Sequence, residues 1–387
     1  MQVPNRLNYV LFIQRLIDTT APDYRHGGDS DRRVIGIDIG TGSSCIYPLL
    51  SCRQRANWLF LATEIDDKNR SFALNNISAN DLQSRIRLID TDQEGKTLIP
   101  SSELERFDRI DFLMTNPPFY ESAASMALSA KQKSRPPNSS CTGAPVEMIT
   151  PGGEVAFVSR LVHESTAPNM KSRIQWFSSM LGKLSSIASI VEKLKEQGCT
   201  NYAVSEFIQG QKTRRWCVAW SWMNLRPSLA VARGISGVSG VEKKFLPVST
   251  EFDLELQGDA DEIAAKINEE VGNLDLRWRF QQSQRVGMLL SQAGDVWSRK
   301  ARRKKQIQHV KQHKNEDEDL EMKDHDDDED DEDDEEEPGL VAKISVFKNA
   351  RKDVNEIKIQ IRWLQGREAV AFESFCGWLK RKLEVRG

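Results

Sequence analysis

Asn116, Pro117, Pro118 and Phe119 stand directly after the apolar run 110–115, and their residue types suit the holding of a flat, polar group. The asparagine side-chain oxygen can accept a hydrogen bond from an amino group. Pro117 lacks an N–H, so the turn presents carbonyls with no competing donor. Phe119 offers a face for stacking a planar base, a contact worth about 1–3 kcal/mol. An exocyclic amine held this way can aim its lone pair at a methyl sulfonium. Such a transfer depends on in-line positioning more than on a strong base, because the proton leaves only after the nitrogen has become cationic. The plainer alternative for the same residues is a proline strand stop beside a core phenylalanine.

A second set of residues could hold the other reactant. "VIGIDIGTGSSC" (34–45) is an apolar run followed by a glycine turn, in which Gly40 and Gly42 permit positive φ and a close approach of ligand to backbone. Asp38-x-Gly40-x-Gly42 does not complete the dinucleotide fingerprint G-x-G-x-x-G. Glu64 ends the next apolar run, 24 residues after Gly40, where an acid can accept from both ribose hydroxyls. Asp90 ends the third run, and Lys96 and Thr97 follow it. This spacing favours an adenosine ligand without a pyrophosphate, such as S-adenosylmethionine. Three unrelated acidic loop residues are the competing reading.

The elements that must position these residues alternate short apolar runs with helical stretches, the mark of a βαβ sheet. Strands are expected at 34–39, 58–63, 86–89, 110–115 and 155–159, followed by two more at 203–209 and 215–221. Seven strands in this order predict an α/β, doubly wound, Rossmann-like sheet with its ligand at the carboxyl ends of the strands. Residues 1–226 form that domain, and residues 227–244, rich in Gly, Ser and Pro, read as a linker. A small α+β domain follows over 245–298 and 338–387. Its strands are expected at 252–256, 276–280, 344–347 and 357–363, with a helix capped by Asp259 and a closing helix at 367–383. A disordered, charged insert, 299–337, interrupts it.

The net charge of −3 conceals a segregation. Residues 315–337 hold 18 Asp/Glu and one Lys, leaving 53 Lys/Arg against 39 Asp/Glu elsewhere, or +14. Residues 299–314 ("RKARRKKQIQHVKQHK") hold eight Lys/Arg and no acid. A basic body favours a polyanionic partner, and "RKARRKK" reads equally well as a nuclear-import signal. The six cysteines are scattered without a CxxC pair, which fits a reducing compartment and neither a disulfide framework nor a zinc module. His309 and His313 have no third ligand at a suitable spacing, so no metal is expected. No apolar run approaches membrane-spanning length. These features predict a soluble, intracellular protein with no membrane partner. Trp216, Trp220 and Trp222 alternate on a strand and are expected in the core, and Cys45 is expected to be packed and not nucleophilic.

The blocks "NRLNYVLFIQRLI", "GIDIGTGSSCIYPLL", "FLATEIDD", "NPPFY", "RPPNSSCTG", "MLGK" and "EFIQGQKTRRWCVAWSW" resemble the class I S-adenosylmethionine-dependent methyltransferases that modify amino nitrogens. Within these the chain is similar to the methyltransferase-like protein 16 family over about residues 5–222. The resemblance implies that Arg6, Gly40, Ser44, Glu64, Thr97 and Asn116 line the S-adenosylmethionine pocket, and that Asn116, Pro117, Pro118 and Phe119 hold a target adenine. It also implies RNA contacts at Lys131, Lys133 and Arg135 in the loop 131–143, and at Lys212 and Arg215. The family acts at adenine N6 in structured RNA, U6 snRNA or a similar hairpin, so the expected compartment is the nucleus, with the cytoplasm second. The family normally carries an RNA-binding segment ahead of "RLNY", whose loss would weaken RNA affinity more than donor binding. Two other functions compete: a glutamine-N5 protein methyltransferase, and a non-catalytic RNA-binding protein that senses S-adenosylmethionine.

Overall fold

Near-continuous apolar runs, buried on both faces of a sheet, place the segments before Gly40 and before Asn116 side by side as parallel strands. In chain order the strands of this sheet are β1 (Val34–Ile39), β2 (Trp58–Ala62), β3 (Ile86–Leu88), β4 (Ile110–Thr115), β5 (Ile174–Leu181), β6 (Asn201–Gln209), β7 (Thr213–Ser221) and the two-residue β8 (Arg233–Gly234). Their spatial order is β3-β2-β1-β4-β5-β7-β6-β8. Strands β1 to β5 are parallel, and β7 lies antiparallel to β5. The chain winds outward from β1 to β3 and then crosses back to β4. The strand order therefore reverses between β1 and β4, and the crevice at their carboxyl ends is where a doubly wound sheet takes a ligand.

The computed structural model describes residues 3–25, 29, 31–89, 91, 97–122, 124, 150–209, 213–237, 239–299, 301, 303, 337–348 and 356–384. They fall into two units, Met1–Val248 and Ser249–Gly387. In the first, helices α1 (Val3–Thr19), α2 (Ile46–Gln54) and α3 (Asp67–Ala79) cover one face of the sheet, and α4 (Gly153–Glu164) and α5 (Leu184–Glu196) cover the other. Helix α1 shows why: Tyr9, Phe12, Ile13, Leu16 and Ile17 recur at helical spacing and are all buried.

Two expectations are corrected here. Residues 155–159 lie inside α4 and are not a strand. Val155, Val158, Leu161 and Val162 share one face at helical period, and the last three are buried among the apolar side chains of α5. The fifth parallel strand is β5, whose eight residues are all buried although four of them are polar or sulfur-bearing. Their partners make this tolerable: Gln175 Nε2 donates to the Thr20 carbonyl at 2.8 Å, and Ser178 Oγ donates to the Leu113 carbonyl at 3.0 Å.

The segment 227–244, expected as a linker, is packed against the first unit. It contains a helical turn at Leu229–Ala232, and β8 pairs in parallel with β6. Val231 and Ala232 are buried, and Ser236 donates through its N–H and hydroxyl to Glu206 Oε2 at 3.2 and 2.7 Å.

In the second unit β9 (Glu251–Gln257), β10 (Arg277–Gln281), β11 (Val286–Ser291), β12 (Leu340–Lys348) and β13 (Glu356–Gln365) form an antiparallel sheet of order β10-β11-β12-β13-β9. Helices α6 (Ala260–Gly272) and α7 (Ala369–Glu384) pack on its apolar face. Asp259 caps α6 as expected, accepting from the N–H groups of Asp261 and Glu262 at 2.8 and 3.2 Å. Strand β11 was not expected from the sequence. The charged insert lies outside the described residues except for residues 299, 301, 303 and 337.

Candidate active site

The glycine turn after β1 is held by its neighbours' backbone and side chains. Gly40 and Gly42 have φ of 70° and 68°, in the left-handed region that an L side chain rarely occupies. Among the described residues nothing lies within 4 Å of where a Cβ at Gly40 would stand. Gly40 N donates to Thr63 Oγ1 (3.1 Å), and Thr41 N donates to the Thr63 carbonyl (2.8 Å). Glu64 accepts from Gly42 N through Oε2 (2.8 Å) and from Asp66 N through Oε1 (3.0 Å). The acid expected to bind a ribose therefore also locks the glycine turn to the start of α3. A carboxylate has about four acceptor positions, so both tasks are compatible.

Beneath the turn, Asp38 is buried and accepts from Thr41 Oγ1 at 2.7 Å. Burial pushes its carboxyl up to about 7; the Thr41 hydroxyl opposes the shift and the nearby Glu64 charge adds to it. Arg6, half-buried on α1, places its charge near Tyr47, whose phenol burial pushes well above its ordinary value.

The second half of the site is the end of β4. Thr115 Oγ1 donates to the Ile39 carbonyl at 2.9 Å, tying the two central strand ends together. The buried Tyr9 hydroxyl sits 2.8 Å from Ser178 Oγ and 3.4 Å from both the N–H and the carbonyl oxygen of Thr115. Asn116 follows. Its Oδ1 is buried and has no hydrogen-bond partner among the described residues. An acceptor left in that state costs about 1–3 kcal/mol, which a donor on a ligand would recover. Pro117 is buried, and Pro118 and Phe119 are half-buried.

Phe119 is bounded on two sides. A Cβ on Gly182 would stand 2.9 Å from Phe119 Cδ1, so the ring occupies the space that this glycine leaves. The Arg215 guanidinium carbon lies 5.7 Å from the ring centroid, within cation–π range. Gly182 is itself held by the buried Glu154, which accepts from Gly182 N (2.6 Å), Lys183 N (3.1 Å) and Ser186 Oγ (2.5 Å) at the start of α5.

Gly40 and Ser44 thus follow β1, Glu64 follows β2, and Asn116, Pro117, Pro118 and Phe119 follow β4, with Arg215 against Phe119. Thr97 is exposed at the start of the segment leading to α4's carboxylate Glu164. Lys131, Lys133, Arg135 and Lys212, with Asp90 and Lys96, lie outside the described residues. Trp216 and Trp220 are core residues as expected; Trp220 stacks on Phe177 at 5.7 Å, and the indole N–H groups of Trp220 and Trp222 both donate to Ser165 Oγ. Cys45 is buried, and burial pushes its thiol up to about 12. The sequence reasoning missed Tyr9, Glu154, Glu164 and Ser178 as supports of the site, and Gly182 had a signal only in the block "MLGK". Among the described residues no group of three or more His, Cys, Asp or Glu is placed to hold a metal ion, and no helix is long and apolar enough to cross a membrane.

A family model described as RNA methyltransferase matches residues 1–224. The chain is 32% identical over 385 residues to the U6 small nuclear RNA (adenine-(43)-N(6))-methyltransferase of Schizosaccharomyces pombe, covering 98% of this chain and 86% of that protein. It is 41% identical over 225 residues to the RNA N(6)-adenosine-methyltransferase METTL16 of Gallus gallus, covering 57% of this chain and 38% of that protein's length. The solved hMettl16 catalytic domain in complex with MAT2A 3′UTR hairpin 1 is 36% identical, covers 57% of this chain and 71% of that one, and has a TM-score of 0.48. With the family model spanning more than half of the chain and the fission-yeast relative aligning over almost all of it, this chain belongs to the RNA methyltransferase family.

Proposed function

We propose that this protein transfers a methyl group from S-adenosylmethionine to the N6 amino group of an adenosine in structured RNA, U6 snRNA or a similar hairpin. The observation that carries the reading is the Oδ1 of Asn116, buried and without a hydrogen-bond partner among the described residues, at the end of the strand paired with the one that runs into the glycine turn. An adenine N6 amine has two hydrogens. One can be donated to Asn116 Oδ1 and the other to the Pro117 carbonyl, which fixes the nitrogen while Phe119 stacks the base. Bound in the crevice, S-adenosylmethionine supplies an electrophilic methyl group on a sulfonium. Arg6, Gly40, Ser44, Glu64, Thr97 and Asn116 would hold it, Glu64 through the ribose hydroxyls. Asn116 and Pro117 accept more strongly from a cationic nitrogen than from a neutral amine, so they favour the transition state over the bound substrate.

The target adenine must be unpaired or flipped for its amine to reach Asn116, which favours loops and bulges over continuous helix. Lys131, Lys133, Arg135, Lys212 and Arg215 are the proposed phosphate contacts in the first unit. The small second domain is proposed to add RNA affinity. The basic tract 299–314, with eight Lys/Arg and no acid, would give salt-sensitive attraction for phosphates whatever the RNA sequence. The import-like tract "RKARRKK" supports a nuclear location.

Incubation of the full chain with tritiated S-adenosylmethionine and a cell extract tests the activity. Label is expected in RNA, in N6-methyladenosine. Labelled protein glutamine with unlabelled RNA would replace this reading with the protein-amide alternative.

A further inference from the structure

Helix α4 ends on Glu164, an unfavourable place for an acid. The carbonyl end of a helix carries partial negative charge, and a carboxylate there is repelled by it. Its surroundings explain its presence. Glu164 Oε1 and Oε2 accept from Leu98 N at 3.0 and 2.8 Å, and Oε2 also accepts from Ile99 N at 2.9 Å. Arg160, one turn earlier on α4, donates to Oε1 through Nε at 2.9 Å. The carboxylate is thus turned onto two consecutive backbone N–H groups of a segment 65 residues away in sequence.

That segment directly follows Thr97. Ile99 is buried in the core and Leu98 is half-buried, whereas Thr97 is exposed. With its downstream side chain anchored and both amides gripped, the segment can present Thr97 in one backbone arrangement. We infer that Glu164 is a positioning residue for the methyl donor, acting through the backbone of residues 97–99. This inference rests on the proposed donor pocket and adds a residue that touches neither reactant.

A loop that occupies its binding arrangement for only part of the time weakens apparent affinity by that fraction. It leaves the rate at saturation unchanged where the contact is the same in ground and transition states. Glu164→Gln preserves size but turns one acceptor into a donor facing the donors it must satisfy. Loss of a single charge-assisted hydrogen bond corresponds to about tenfold. For full-length Glu164→Gln, calorimetry with S-adenosylhomocysteine should show a dissociation constant raised about tenfold. Hydrogen exchange without ligand should be faster at Leu98 and Ile99 and unchanged at Phe112 in β4. The KM for S-adenosylmethionine should rise in step, with kcat and RNA affinity unchanged. Arg160→Ala, which removes the ion pair and leaves the amide clamp, should change the dissociation constant less than about twofold. The inference is overturned if Glu164→Gln binds S-adenosylhomocysteine like the parent protein, or if kcat and RNA affinity fall together with the melting temperature. It also falls if the parent protein binds no S-adenosylhomocysteine. If binding responds as expected but no RNA is methylated, the proposed activity fails and the positioning role stands.

Discussion

At the scale of single residues, the site keeps polar groups in states that a merely structural residue would not need. Asn116 Oδ1 is buried without a hydrogen-bond partner among the described residues, and Asp38 is a carboxyl group buried beneath the glycine turn. Asp38 carries a measurable consequence. Burial raises its folded pKa to about 7, above its ordinary 3.8. Folding therefore holds a proton that the unfolded chain releases. The stability this contributes is full below pH 3.8 and is lost as the pH rises to about 7. Asp38→Asn keeps an acceptor for Thr41 and removes the charge, so it should raise the melting temperature at pH 8 and do much less at pH 5. Each kcal/mol recovered should appear as about 2–4 °C. Thermal melts of both proteins at the two pH values check this, and an equal effect at both would show that the charge is not the cause.

At the scale of elements, the site depends on junctions more than on strands. The β5–α5 junction places Gly182 against Phe119, and Glu154 at the start of α4 fixes that junction by accepting its amides. Gly182→Ala should push the Phe119 ring outward. We expect kcat for methyl transfer to fall about 10- to 100-fold, as misplaced reacting groups do, with S-adenosylhomocysteine affinity within twofold of the parent. Kinetics and calorimetry on the same preparation separate the two, and a selective loss of donor affinity would show that Gly182 serves the other pocket. The same elements mark what the sequence could tell. Strands β1, β2 and β4 were legible because continuous apolar runs end on Gly40, Glu64 and Asn116, residues with a conformational or chemical signature. Strand β5 was hidden because Gln175, Ser178 and Ser179 interrupt its apolar run; their burial is tolerated through partners such as Thr20, Leu113 and Tyr9, distant in the chain. Residues 155–159 of α4 were mistaken for a strand because five residues hold too little of a helical period to distinguish the two. Strand β11 was lost at Gly287, where the Trp278 ring fills the space a side chain would take, a fit visible only in three dimensions. The candidate site groups announced themselves by type, whereas their neighbours Glu154 and Glu164 look like any helix-surface acid.

At the scale of the whole molecule, a basic body and an acidic run of 18 Asp/Glu are joined in one chain of net charge −3, and the body's excess of cations matches a phosphate-rich substrate better than a protein. The two units are separate compact bodies, each with its own core. In the first, the strand order reverses between β1 and β4, and the glycine turn follows β1 where Asn116-Pro117-Pro118-Phe119 follows its neighbour β4. The measurement that tests this account most directly is nucleoside mass spectrometry of RNA after incubation of the full chain and its Asn116→Ala variant with S-adenosylmethionine. The account predicts N6-methyladenosine from the parent protein and a loss of about 10²–10³-fold or more in the variant, with its fold intact by circular dichroism. A methyl group on another nucleoside, or transfer by Asn116→Ala at the parent rate, would contradict it.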